Sequence, residues 1–268
     1  MQLATQAAVI DRDNVTKRCY DWPGRRMKGS RAMGKLVSYQ LRDSIATITM
    51  DDGKVNVLSP QMLTELNEAL DRAEADRAVV MLTGRPGVFS AGFDLTVLRA
   101  GGSPAFGMLR AGFELAARTL SFPAPVVMAC TGHAVAMGAF LLLSGDYRVG
   151  AAGPYKITAN EVAIGLTVPL AAVEICRHRL CPAYLSRAVM LAEVFAPGDA
   201  VAAGFLDRVV EEPELPDVAG RSAADMARLD MDAHAATKLR TRGPVLTAIH
   251  AAIDADDSAA RAAGMASP

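Results

Sequence analysis

Cysteine is scarce in this 268-residue chain: there are four, Cys19, Cys130, Cys176 and Cys181. Four scattered thiols cannot staple a disulfide framework, so a reducing cytosol and a cytoplasmic protein are expected. Aromatic residues make up only 5% of the sequence, too few for base-stacking platforms. Neither sign of charge is in excess. Lys and Arg number 28 against 29 Asp and Glu, a formal net charge of -1. Such a chain has no global field to hold nucleic acid, and no nucleic-acid partner is expected. No apolar run reaches the ~18–20 residues that cross a bilayer, so no membrane partner is expected either. Basic residues follow the short apolar stretch Leu3–Ile10 instead of preceding it, which is not the pattern of a secretory leader. Also missing are G-x-x-x-x-G-K-[ST], G-x-G-x-x-G after a strand, G-x-S-x-G and H-E-x-x-H. Those absences argue against NTP hydrolysis, dinucleotide chemistry, serine hydrolysis of the α/β-hydrolase type and zincin chemistry. Cys176 and Cys181 flank His178, but a spacing of five on one helix would turn the two thiols to different faces, so no metal site is expected.

What is present is a globular balance, 51% hydrophobic and 21% charged, enough for one α/β domain with a small appendage. Residues 1–33 stand apart. They carry Lys17, Arg18, Arg25, Arg26, Lys28 and Arg31 with little hydrophobic period. They read as a flexible extension, with Met27 and Met33 as alternative starts and a basic arm as the sharper alternative. From Gly34 the pattern is regular. Val37–Leu41 and Ile45–Met50 alternate like a hairpin about the turn Arg42-Asp43-Ser44. Ser59 caps and Pro60 opens a helix marked by Leu63, Leu66 and Leu70. Val79–Leu82 and Val126–Cys130 read as buried strands, with a helix over Phe106–Leu120 between them that Pro123 and Pro125 end. Strand Tyr147–Val149 follows, then a loop reaching Glu161, helices from about Val168, a short strand at Leu206–Val210 and Ala-rich helices after about 220. This alternation implies an α/β fold with helices covering the strands.

Two glycine-bearing segments each follow a short apolar strand directly. One is Val88-Phe89-Ser90-Ala91-Gly92-Phe93-Asp94-Leu95; the other is Gly132-His133-Ala134-Val135-Ala136-Met137-Gly138-Ala139. A strand that turns through small residues into a helix leaves backbone N–H groups free. Two such groups converging on one point can hold a carbonyl oxygen as it becomes negative. The second segment runs into Phe140-Leu141-Leu142-Leu143, apolar on all sides and therefore a buried helix. Ordinary tight turns would leave the same trace.

In their spacing, the two segments resemble the paired oxyanion motifs of the enoyl-CoA hydratase/isomerase (crotonase) family. The resemblance runs from about Val37 to about Val210 and takes in Lys54-Val55-Asn56-Val57-Leu58 and Asn160-Glu161-Val162-Ala163-Ile164-Gly165. It implies a crotonase-type spiral of strand-strand-helix units with a helical C-terminal region. It divides the chain into an N-terminal extension 1–33, a core 34–210 and a helical, oligomerising region 211–268. It also implies an acyl-CoA thioester as substrate, no separate cofactor, and a homotrimer or dimer of trimers. The oxyanion donors fall on the N–H groups of Phe93 and Met137, where side-chain identity is free to vary. Two such bonds to an enolate are worth ~3–4 kcal/mol each in a dry site. Lys54 and Val55 match the stretch that packs on the CoA adenine. Ala91, Asp94, Leu95, Gly138, Phe140 and Glu114 are the further substrate-binding candidates.

The family's hydratases use two glutamates. One matches Glu161; the other falls on Phe140, whose ring neither carries a proton nor positions a water. Isomerisation, which needs one carboxylate to shuttle a proton between two carbons, therefore suits the surviving residues better than hydration. A catalytically weak acyl-CoA-binding protein is the alternative. If Glu161 is the base, apolar neighbours should raise its pKa. Glu114 could face the pocket, but a helix glutamate usually faces water. Asp94 is expected to cap the next turn, His133 to be a satisfied core histidine, and Asp146 to be structural. Tyr155 is a distant candidate hydroxyl donor. The run Lys238-Leu239-Arg240-Thr241-Arg242 is read as a solvated helix face, with CoA phosphates as the sharper alternative.

Overall fold

A computed structural model describes residues 34–262. The expected extension 1–33, with Cys19, lies outside the described residues. The chain opens on the hairpin β1 (Val37–Arg42) and β2 (Ile45–Met50), antiparallel with Arg42 opposite Ile45. Asp43 and Ser44 have φ of 49° and 61°, the two-residue turn with positive φ at both centres that suits the twist of a hairpin. β3 (Val57–Leu58) leads to α1 (Pro60–Ala75). Ser59 caps this helix by accepting the Met62 N–H at 3.2 Å.

β4 (Val79–Thr83), β7 (Val126–Cys130), β9 (Tyr147–Ala151) and β11 (Arg208–Val210) extend β2 in parallel, giving the order β1-β2-β4-β7-β9-β11. Every residue of β7 is buried. Val126, Met128 and Cys130 enter the main core on one face, while Val127 and Ala129 join the second core under α8 (Leu215–Met226) on the other. Burial on both faces explains a continuous apolar run with no polar alternation.

The parts that matter for function sit beside this sheet. β5 (Gly87–Ser90), β8 (Gly132–Val135) and β10 (Ile157–Thr158) form a three-stranded parallel sheet, and β6 (Gly92–Phe93) pairs with β3. Helices α2 (Leu95–Ala100) and α3 (Gly102–Ser121) follow β6, and α4 (Met137–Leu143) follows β8. α3 begins earlier than its periodicity predicts. No periodicity marks α2: Asp94 starts it by accepting the Thr96 N–H at 2.8 Å.

α5 (Leu170–Arg179), α6 (Pro182–Val189), α7 (Pro197–Ala203) and the long α9 (Met231–Ala262) complete the chain. Cys176 lies in α5, whereas Cys181 precedes Pro182 as the first residue outside α6. The single helix expected to carry both thiols is thus two helices, broken where Pro182 begins the second. The last strand is shorter than expected, because Leu206 packs as core and pairing starts only at Arg208. Among the described residues, no helix is long and apolar enough to cross a membrane.

The C-terminal basic run is only partly a solvated face: Leu239, Arg240 and Thr241 are exposed, but two of its basic residues are not. Lys238 and Arg242 are buried and hold the two oxygens of Asp146, Nζ to Oδ2 at 2.6 Å and Nη1 to Oδ1 at 2.8 Å. Their spacing of four places both on the face of α9 that meets the core. Asp146 is structural, as expected, and also accepts the Val126 N–H at 2.7 Å.

Candidate active site

The first glycine segment is pinned from below by Asn56, a buried residue with φ of 53°. Its Nδ2 donates to the carbonyls of Met50 at 3.0 Å and Phe89 at 3.2 Å. Asp52 holds the same loop by accepting the N–H groups of Lys54, Asn56 and Val57. Lys54 and Val55 therefore lie along the segment: the Ala91 N–H donates to the Val55 carbonyl at 3.0 Å, and Leu58 pairs with Phe93.

The second segment is anchored by β10. The Ala136 N–H donates to the Thr158 carbonyl at 2.9 Å. Ala136 has φ 50° and ψ -125°, a conformation that costs a non-glycine residue of order 1–3 kcal/mol. Met137 and Gly138 are then the first two residues of α4, where no preceding helical carbonyl is available to their N–H groups. All seven residues of α4 are buried.

The two segments meet. Gly92 has φ +87°, and a Cβ there would lie 3.2 Å from the Met137 nitrogen and 2.9 Å from the Val135 carbonyl oxygen. A Cβ at Gly138 would collide with the Ser90 carbonyl. Both glycines are required by close backbone approach, not only by turn geometry. Phe93, Met137, Ala91, Gly138 and the start of α2 at Asp94 and Leu95 are thereby brought into one neighbourhood.

Aromatic rings line one side. Phe93 meets Phe113 edge to face at 6.0 Å between centroids, and Phe113 stacks on Phe140 at 6.3 Å and 29°. Nothing in the sequence singled out Phe113, because a phenylalanine on an amphipathic helix carries no local mark of what it faces. The same is true of Gly112, whose missing Cβ makes room for the Phe93 ring.

Glu161 follows β10 by three residues and heads a short 3₁₀ turn, Val162–Ile164. It is not a solvated loop glutamate. It is 8% exposed, and its Oε2 has no hydrogen-bond partner among the described residues. Burial pushes its pKa up from 4.5 to about 7, against a smaller opposing pull from its own backbone N–H. A buried carboxylate with that titration point is suited to taking and returning a proton near neutral pH. Thr158 and Asn160, in the same segment, also bury side-chain oxygens without partners among the described residues.

Other candidates lie elsewhere. Glu114 is 49% exposed and ion-paired with Arg110 at 2.7 Å. Tyr155 donates to Glu212 at 2.9 Å. The His133 Nδ1 accepts the Lys156 N–H at 3.1 Å, and burial lowers its pKa. Among the described residues, no group of three or more His, Cys, Asp or Glu is placed to hold a metal ion.

Comparison with known proteins identifies the family and the fold. The family model for enoyl-CoA hydratase/isomerase matches residues 40–261. Human mitochondrial enoyl-CoA delta isomerase 1 is 32% identical over 237 residues, covering 85% of this chain and 78% of the relative. An enoyl-CoA hydratase/isomerase family protein from Pseudomonas syringae superposes with TM-score 0.83 at 48% identity, covering 85% of this chain and 99% of the other. A solved enoyl-CoA isomerase from Mycobacterium tuberculosis gives TM-score 0.81 at 52% identity, covering 84% and 99%.

Proposed function

The chain belongs to the enoyl-CoA hydratase/isomerase family, and from that premise we propose that it isomerises 3-enoyl-CoA thioesters to their 2-enoyl forms. The observation that carries this reading is Glu161, a buried carboxylate whose Oε2 has no hydrogen-bond partner among the described residues, three residues beyond the strand that anchors the second turn, with phenylalanine at position 140, the position that matches a hydratase's second acid.

The N–H groups of Phe93 and Met137 donate to the thioester oxygen and draw charge onto it, which acidifies C2. Glu161 takes a C2 proton, and the electron pair moves into a dienolate whose negative oxygen the two amides stabilise. The protonated Glu161 then delivers the proton to C4, leaving the double bond between C2 and C3. No atom is gained or lost, so one carboxylate suffices. Phe93, Phe113 and Phe140, in contact through Phe113, form an apolar wall next to the proposed oxyanion donors that keeps water from the dienolate, and burial keeps Glu161 poorly solvated. Lys54 and Val55 line the approach for the CoA moiety, and no cofactor beyond that moiety is required. We place the enzyme in the cytoplasm as a trimer or pair of trimers, with the exposed Met190 and Leu191 at 66% and 72% exposure as interface residues.

The test is turnover of 3-enoyl-CoA and 2-enoyl-CoA by purified protein. Conversion of the first without hydration of the second is expected, and Glu161→Gln should slow conversion by about 10²–10⁴-fold. Undiminished turnover by that variant would remove Glu161 as the base. Tight acyl-CoA binding without turnover of either isomer would favour an acyl-CoA-binding protein.

A further inference from the structure

Between the two turns sits a side chain to which the mechanism assigns no role. Ser90, the last residue of β5, is completely buried. Its hydroxyl donates to the Asn56 carbonyl at 2.7 Å and accepts the Gly92 N–H at 3.1 Å. That bond fixes the Ala91–Gly92 peptide, which is joined through the Gly92 Cα to the next peptide, Gly92–Phe93, the one that carries the proposed first oxyanion donor. The backbone of the same serine is the surface on which the second turn rests. Its carbonyl is the atom that a Cβ at Gly138 would strike, and Gly138 comes directly after Met137. The register of β5 against β8 shifts between Val88 and Ser90, which brings Ser90 opposite Ala134. A bulge of this kind bends its strand and re-aims the residues beyond it.

The geometry points to Ser90 as a positioning residue for the oxyanion pair: its hydroxyl fixes the Ala91–Gly92 peptide that leads into Phe93, while its backbone seats the start of α4. This rests on the proposed isomerase reading and deepens it, since it names what holds the two amides at a common distance from one oxygen. Ser90 touches no reacting atom. Asn56 belongs to the same device, because its carbonyl receives the Ser90 proton while its side chain fixes the strand carbonyl at Phe89. Hydrogen-bond donors contribute to an anionic transition state only when their geometry is set before charge develops. A tether of this kind therefore acts on turnover more than on ground-state binding.

The experiment compares wild-type protein with Ser90→Ala. Removing the hydroxyl should lower kcat for 3-enoyl-CoA by about tenfold to a hundredfold, less than deletion of a whole oxyanion donor. KM should stay within about twofold, because uniform binding of the CoA moiety is untouched. A merely structural role would lower folded fraction, seen in the thermal melt, and leave kcat per folded molecule unchanged; that result overturns the inference. Amide hydrogen exchange supplies an arm independent of activity. In the wild type the Gly92 amide should exchange about a hundredfold or more slower than an unprotected amide, and in Ser90→Ala it should lose that protection. Free exchange at Gly92 in the wild type overturns the inference even if the variant fails to fold. A wild type that converts no enoyl-CoA sinks the isomerase reading instead, and the exchange arm still decides whether Ser90 holds the turn.

Discussion

Glu161 is where charge, burial and chemistry meet in a single residue. Its carboxyl titrates near 7 in the folded chain and at 4.5 without the fold. As the proposed base, Glu161 must be ionised, so kcat/KM should rise with pH through about 7; a profile already flat at pH 5 would contradict the burial effect. Stability carries the opposite sign. Between pH 4.5 and 7 the folded chain keeps a proton that the unfolded chain releases, so stability falls as pH rises across that window. The loss approaches about 3 kcal/mol above it. Glu161→Gln removes the charge, and its unfolding free energy at pH 8 should exceed that of wild type by roughly 1–3 kcal/mol. At pH 4 the difference should vanish. Urea unfolding at both pH values reads this directly. Gly112 offers a second residue-scale prediction. A methyl there enters the Phe93 ring, which should cost about 1–3 kcal/mol as overpacking. Combining Gly112→Ala with Phe93→Leu should cost less than the sum of the single changes by at least about 0.5 kcal/mol. Strict additivity would mean that the ring and the helix do not share that space.

Among the elements, α4 concentrates the demands of the fold. It is a seven-residue helix with no exposed face, so its two ends must be satisfied by neighbours. Its N-terminus serves the candidate site. Its C-terminus is held by Arg179, whose guanidinium donates to the carbonyls of Leu143 at 3.0 Å and Gly145 at 2.6 Å. A cation there complements the helix dipole. Burial, with help from Arg148 and Arg242, lowers the Arg179 pKa to about 10. Asp146 comes immediately afterwards and ties this end to α9 through Lys238 and Arg242. Asp146→Ala leaves two buried cations without their carboxylate and should cost about 3–5 kcal/mol. Lys238→Met should cost clearly less, because Asp146 keeps Arg242 and the Val126 N–H. Denaturant midpoints for the two variants test the order, and equal losses would show that the triad does not divide in this way.

For the whole molecule, the long C-terminal helix is an integral part of the fold. Leu246, Ile249, Ala252 and Ile253 of α9 enter the main core, and α8 covers the outer face of the sheet. Assembly is the remaining question at this scale. The segment Met190–Val194 leaves Met190, Leu191 and Val194 exposed, an apolar ledge that costs free energy in water unless another surface covers it. Sedimentation of the wild type should give a species of three or six chains, and Met190→Asp with Leu191→Asp should shift it toward the monomer. A monomeric wild type would remove the interface proposed for these residues.

Periodicity, caps and turn residues are enough to read the hairpin, the helix after Ser59 and the buried strand at Val126, because each is set by neighbours in sequence. The two glycine segments and the family likeness are legible for the same reason. Ser90, Gly112, Phe113 and Arg179 are not, since their partners lie far away along the chain. Lys238 and Arg242 read wrongly as a solvated face, because charge spacing on a helix does not reveal which side a distant aspartate occupies. Local physics determined which elements form. Tertiary packing decided which glycine turns meet and how dry a carboxylate becomes, because both depend on close approach between segments that the order of residues does not encode pairwise.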